Sequence, residues 1–189
     1  MDSMSETRWL DPTEQQAWRA YLEVMRLLPN HLEDRLHERN DLTLTDYQVL
    51  VEVSESENRR LRMTELSHRT QLSKSRLSHQ IGRMERAGLV VRTNCAEDRR
   101  GQWVELTDEG WTVLRAAAPK HVQDVRELFF DLLGEGQAEV LASALRAVAD
   151  RLGKSPASGC ANALAELESA GTAGPDTADT PETAEAPQD

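Results

Sequence analysis

The stretch that decides the fold is residues 71–110, QLSKSRLSHQIGRMERAGLVVRTNCAEDRRGQWVELTDEG. Ser73 has the chemistry of a helix cap, because its hydroxyl can accept from a free backbone N–H of the first turn. A helix is predicted from there to about Ala87, and Gly88 ends it because glycine tolerates positive φ. Leu77, Ile81 and Met84 fall on one stripe of that helix. The opposite side of a 100° wheel carries Ser75, His79, Gly82 and Arg86, flanked by Arg76 and Arg83. Glu85 is the one acid of the helix and lies toward the apolar stripe. Two short segments, 89–93 and 102–106, read as strands, and the polar loop 94–101 between them makes a hairpin. The loop sequence Asp98-Arg99-Arg100-Gly101 places two guanidinium groups beside a glycine.

Upstream, Asp11-Pro12-Thr13-Glu14 is a helix start with a cap, a first-turn proline and an acid three residues on. Trp18, Tyr21, Leu22, Met25, Leu28, Leu32 and Leu36 then recur at helical spacing, with a bend expected at Pro29. A second helix is predicted over 43–53. A short third helix, capped by Thr64, runs through Arg69, and Gln71-Leu72-Ser73 forms a turn. Downstream, Thr107 and Asp108 start a helix that contains Pro119 and continues through Leu132. A last helix carries Leu141, Leu145, Val148 and Leu152. The order helix, short helix, tight turn, helix, hairpin is that of a winged helix-turn-helix. The expected fold is therefore mainly α with a small β-hairpin: a winged helix-turn-helix lobe over 42–107 plus a helical dimerisation region from 11–40 and 107–153. Residues 1–10 read as a polar arm carrying Trp9, and 154–189 as a disordered acidic tail.

The net charge is −11 over 189 residues. Its distribution matters more than its sum. Residues 59–107 hold eleven Lys/Arg against five Asp/Glu, whereas the segment from 155 onward has no Lys or Arg and seven acids. A basic block within an acidic chain is an electrostatic footprint for a polyanion. No run of 18 apolar residues exists to span a bilayer. A secretion signal is not evident, and two cysteines, Cys95 and Cys160, are too few for a disulfide framework. The cytoplasm is the expected location.

Several segments carry a family resemblance. They are Met63-Thr64-Glu65-Leu66, Leu72-Ser73-Lys74-Ser75-Arg76-Leu77-Ser78, Met84-Glu85-Arg86-Ala87-Gly88-Leu89-Val90, the Asp98-Arg99-Arg100-Gly101 loop and Val104-Glu105-Leu106-Thr107-Asp108-Glu109-Gly110. Together they resemble the MarR family of bacterial regulators over about residues 11–153. The resemblance implies an obligate homodimer joined by the first helix and the last two, a pseudo-palindromic operator in double-stranded DNA, and release of DNA by a small ligand or by cysteine oxidation.

The candidate DNA contacts are Ser73, Lys74, Ser75, Arg76, His79 and Arg83 in a major groove, with Arg99 and Arg100 in a flanking minor groove. A repressor is the expected regulator, since a dimer on an operator most simply blocks polymerase. Trp18, Tyr21, His31, Arg35 and Trp111 are candidates for a pocket taking a small aromatic ligand, against the plainer reading of core and interface filler. Cys95, near Arg92, Arg99 and Arg100, is a candidate oxidation sensor, against the plainer reading of a loop thiol. A winged-helix module that binds proteins is the remaining alternative. His31 and His37 point about 240° apart on a helix, and no metal-ligand motif is present, so neither a metal nor another cofactor is expected. The sequence shows no phosphate loop, nucleophile elbow or carboxylate pair that would argue for an enzyme.

Overall fold

The computed structural model describes residues 7–94 and 101–152. Helix α1 (Pro12–Asn40) opens with the expected reciprocal cap: Asp11 accepts from the Glu14 amide, and Glu14 accepts from the Asp11 amide. It continues through Pro29 and ends where Asp41 turns left-handed at φ 53°. Helix α2 (Leu44–Ser54) repeats the device with Thr43 and Asp46. A 3-10 turn (Glu57–Arg59) leads into a short strand β1 (Arg60–Arg62) and directly into α3 (Met63–Thr70). Then come α4 (Lys74–Arg86), β2 (Val90–Asn94), β3 (Gln102–Leu106), α5 (Asp108–Leu128), a 3-10 turn (Phe130–Leu132) and α6 (Gln137–Leu152).

The three strands form one antiparallel sheet in the order β1-β3-β2. Leu61 lies opposite Val104, which in turn faces Arg92 of β2. Leu61, Val90 and Val104 are buried and join Leu50, Leu66, Leu77, Ile81, Met84 and Leu114 in a single core beneath the sheet. The C-terminal part of α1 enters this lobe through Leu36. The N-terminal half of α1 leaves Trp18, Tyr21, Leu22 and Met25 exposed.

Three details differ from the sequence expectation. Strand β1 is too short to show a two-residue alternation, and it exists because Arg60 and Arg62 pair with β3. Thr64 does not cap α3: the chain leaves β1 still extended at Arg62, so the helix begins at Met63 and Thr64 falls within its first turn. Helix α5 does not run through Leu132. Its backbone leaves the helical region at Phe129 (φ −140°, ψ −66°), where Phe129 and Phe130 pack edge to face.

The junction of β2 with α5 shows why threonine and glycine sit at 107 and 110. The Thr107 hydroxyl accepts from the Gly110 amide at 2.9 Å and lies 2.7 Å from the Gly88 carbonyl and 3.0 Å from that of Leu89. A methyl group at Gly110 would sit 2.0 Å from the Leu89 carbonyl oxygen, which is backbone and cannot swing aside. Gly110→Ala is therefore expected to cost at least about 1–3 kcal/mol, the range for overpacking a closed site. Denaturant unfolding should show the loss, while Gly134→Ala, which meets only the Gln137 side chain, should stay close to wild type.

Where α1, α2 and α5 meet, Asp124 of α5 is buried and receives Arg35 (2.6 Å) and Arg39 (2.9 Å) of α1. One turn earlier, the His121 ring packs on Tyr47 of α2 with centroids 4.3 Å apart. Its Nδ1 is buried without a hydrogen-bond partner among the described residues. Burial pushes the His121 pKa down, and the nearby Asp124 charge opposes this only in part. The unfolded chain, with an ordinary imidazole value of about 6.5, then binds a proton more readily than the folded one. Stability should be fully present above that value and should fall as pH drops below it. The loss should be smaller for His121→Phe, which keeps a ring on Tyr47, and melting curves at stepped pH will measure the difference.

Candidate nucleic-acid interface

Helix α4 is seated by Leu77, Ile81 and Met84, which are at most 1% exposed. Ser73 caps it, its hydroxyl accepting from the Arg76 amide at 3.4 Å and lying 3.3 Å from the Ser75 hydroxyl. With the apolar stripe inward, Lys74, Ser75, Arg76, His79 and Arg86 are all exposed on the outer side. The helix carries no acid in its first turn, so nothing there screens those cations from an anionic partner.

Arg83 is placed differently from the other candidates. Its guanidinium donates to Asp46 at 2.7 Å and to the Thr43 hydroxyl at 3.2 Å, both at the start of α2. Gln80 also donates to Asp46. Asp46 is 2% exposed, so a single buried carboxylate caps α2 and holds two side chains of α4. Arg83 thus anchors the helix, and about half of its side chain remains exposed. Neither Asp46 nor Gln80 is apparent as a functional residue in the sequence. The pattern Thr43-x-x-Asp46 is the available signal, since it marks a reciprocal cap.

A second tie fixes the hairpin to α4. Glu85 accepts from the Arg92 amide at 3.0 Å and from its Nε at 2.8 Å, and the Arg92 hydrogen bond holds the Glu85 carboxyl below its usual pKa. This bond explains why an acid is tolerated on α4: it faces β2 and is matched there. A Cβ at Gly82 would lie 3.6 Å from the Arg92 guanidinium, so this cation rests against the small-residue side of the helix. Arg99, Arg100 and Cys95 lie outside the described residues.

The five pocket candidates do not come together. A cleft of about 450 Å³ between α1 and the end of α5 is lined by Glu23, Val24, Leu27, His31, Leu128 and Phe129, among others, and only His31 of the five is part of it. Trp18 stacks on Tyr21 at 5.6 Å on the exposed face of α1. Arg35 is engaged by Asp124 and Glu127, which raise its pKa further. Trp111 packs against the lobe core under the Arg59 guanidinium, 4.1 Å from its ring centroid.

Comparison with known proteins agrees with this architecture. Residues 40–101 match the family model described as the MarR family. The chain is 30% identical to the transcriptional regulator HosA of Escherichia coli O127:H6 over 128 residues, 68% of this chain and 93% of that protein. Among solved structures, AbsC of Streptomyces coelicolor, a MarR family transcriptional regulator, superposes with a TM-score of 0.73 at 51% identity, covering 77% of this chain and 98% of that one. Sco3205 of the same organism, a MarR family transcriptional regulator solved in complex with DNA, gives 0.75 at 44% identity, covering 81% and 96%. The cap at Ser73, the outward cations of α4, the hairpin tied to it and these matches lead to one assignment: the chain belongs to the MarR family of transcriptional regulators.

Proposed function

We propose that this protein is a repressor that binds a pseudo-palindromic duplex operator as a homodimer and leaves it when a small ligand binds. The observation that carries the DNA reading is the outer side of α4, where Lys74, Ser75, Arg76 and His79 are exposed while the apolar stripe behind them is closed. Hydroxyls, imidazole and guanidinium groups on a helix of this kind suit the donor and acceptor edges of a major groove. Sco3205, 44% identical, was solved with DNA bound, which supports the same partner here. Arg99 and Arg100 are proposed to hold the adjacent minor groove. Arg83 is proposed as a positioning residue that keeps α4 at its angle through Asp46.

Dimerisation is supported by what one chain leaves uncovered. Trp18, Tyr21, Leu22 and Met25 of α1 are exposed, as are Leu132 and, along α6, Val140, Leu145, Val148 and Leu152. Apolar stripes of that extent on the first and last helices call for a partner surface. A second copy with a two-fold axis would set two α4 helices roughly 34–36 Å apart, the spacing of successive major grooves.

The test is titration of an operator selected from genomic fragments, read by anisotropy at several salt concentrations. Affinity should fall by about 10³–10⁵ between roughly 50 and 200 mM salt, as expected for 6–10 phosphate contacts, with two chains bound per site. His79→Ala and Arg83→Ala should narrow the gap between operator and unrelated duplex. Arg99→Ala and Arg100→Ala should weaken both and flatten the salt slope by about one unit each. Absence of binding at every salt would refute the assignment.

The ligand is proposed to enter the cleft between α1 and α5, whose apolar walls and His31 suit a small aromatic acid. A ligand there would favour one spacing of the lobes over another. A binder found by thermal shift should also weaken operator binding, and Leu128→Trp, which fills the cleft, should abolish both effects. Retention of both in the filled variant would place the ligand elsewhere.

A further inference from the structure

Charge is distributed unevenly over the helices. Helix α4 holds four Lys/Arg against one acid, whereas every other described helix holds at least as many acids as Lys/Arg. That one acid, Glu85, is matched by Arg92, and Arg83 of the same helix is matched by Asp46. Lys74, Arg76 and Arg86 are exposed and make no ion pair among the described residues. Three unmatched cations within about 18 Å of helix repel one another and attract any anion within reach.

The same chain carries such an anion. Residues 171–189 contain five acids and no Lys or Arg, and Asp176, Asp179, Glu182 and Glu185 recur at every third position. On an extended chain with three residues per turn, side chains at that spacing share one edge about 9 Å apart. Three of them then span about 18 Å, the length of α4 from Lys74 to Arg86. Pro175, Pro181 and Pro187 are compatible with that conformation. Helix α6 ends at Leu152, and from there to Asp176 an extended chain reaches roughly 80 Å. The longest described helix, α1 of 29 residues, measures about 44 Å, so the link does not limit where the acidic run lies.

We propose that residues 171–189 dock on the outer face of α4, so that duplex DNA must displace them. The inference rests on the DNA-binding reading and adds an internal competitor to it. A tethered segment acts at an effective concentration near ~1 mM. An intrinsic Kd of about 0.1–1 mM for the face then weakens DNA binding by about 2–10-fold. The effect is largest at low salt, where the internal ion pairs are least screened. Operator and unrelated duplex lose affinity by the same factor, so their ratio stands while occupancy of the weaker sites falls.

Full-length protein carrying Asp176→Asn/Asp179→Asn/Glu182→Gln/Glu185→Gln tests it against wild type. This variant should bind operator and unrelated duplex about 2–10-fold more tightly at roughly 50 mM salt. Its salt slope should be steeper, so that the gain vanishes as salt rises. A synthetic peptide of residues 171–189, added to the variant without DNA, should shift the amide resonances of α4. The same peptide with the four changes should not. Arg76→Ala/Arg86→Ala in the variant background should abolish the peptide shifts while keeping the melting temperature. Equal DNA affinity of variant and wild type at low salt overturns the proposal alone. Tighter DNA binding by the variant with no peptide shift on α4 also overturns it, in favour of repulsion at a distance, as do shifts confined to another surface. Peptide shifts on α4 with no duplex bound at any salt support the docking and overturn the DNA reading.

Discussion

The geometry of the DNA-facing lobe depends on the buried carboxylate of Asp46. It closes the cap of α2 with Thr43 and receives Gln80 and Arg83 from α4. Removing a charge of this kind from water is costly, and the cost is offset only while its hydrogen bonds are complete. The arrangement has one low-energy setting, so the angle between α2 and α4 is fixed by chemistry as well as by packing. The apolar stripe of α4 alone would permit sliding along the helix axis. The polar anchor at its middle removes that freedom. Glu85 and Arg92 do the same for the hairpin, so the two elements expected to touch DNA are each tied to α4 or its support by a charge-assisted bond.

Much of this was legible in the sequence, and the reasons are local. The helix over 73–87 was readable because Ser73, the Leu77–Ile81–Met84 stripe and Gly88 agree on its start, its buried side and its end. The expected cap forms, the stripe is buried and Gly88 has φ 72°. The caps at Asp11 and Thr107 were readable for the same reason. Strand β1 was not, because three residues paired at the side of β3 owe their conformation to a partner over 40 positions away. The fate of Arg83 was hidden likewise: a helical wheel places it on the polar side but cannot show a carboxylate arriving from α2. The pocket candidates failed as a group for a related cause. Composition shows that Arg35 and Trp111 suit a ligand, whereas Asp124 and Arg59 had already engaged them.

The long helices join this lobe through the shared core, to which Leu36, Leu114, Ala117 and Ala118 contribute, and through specific polar contacts. Arg35 and Arg39 reach Asp124 across the α1–α5 packing, and His121 meets Tyr47 one helical turn away. These contacts lie between the apolar cleft on one side and α2 on the other. A change in the α1–α5 angle therefore has a short physical route to Asp46, since Tyr47 is its neighbour in α2. Coupling of this kind needs no chain of residues across the core. Helix α2 touches both halves, α5 through Tyr47 and α4 through Asp46.

The close approach of Gly110 to the Leu89 carbonyl has a mechanical consequence. With no side chain between them, the first turn of α5 and the root of β2 touch backbone to backbone and have almost no compliance. Helix α5 is 21 residues long, or about 30 Å. A helix pinned so tightly at its start would pivot, if it tilts, about the hairpin root. A tilt of some 10° at that pivot sweeps its far end through about 5 Å over that length. Conversely, a displacement imposed at the far end, where the cleft opens, would meet no soft packing at the Gly110 contact to absorb it.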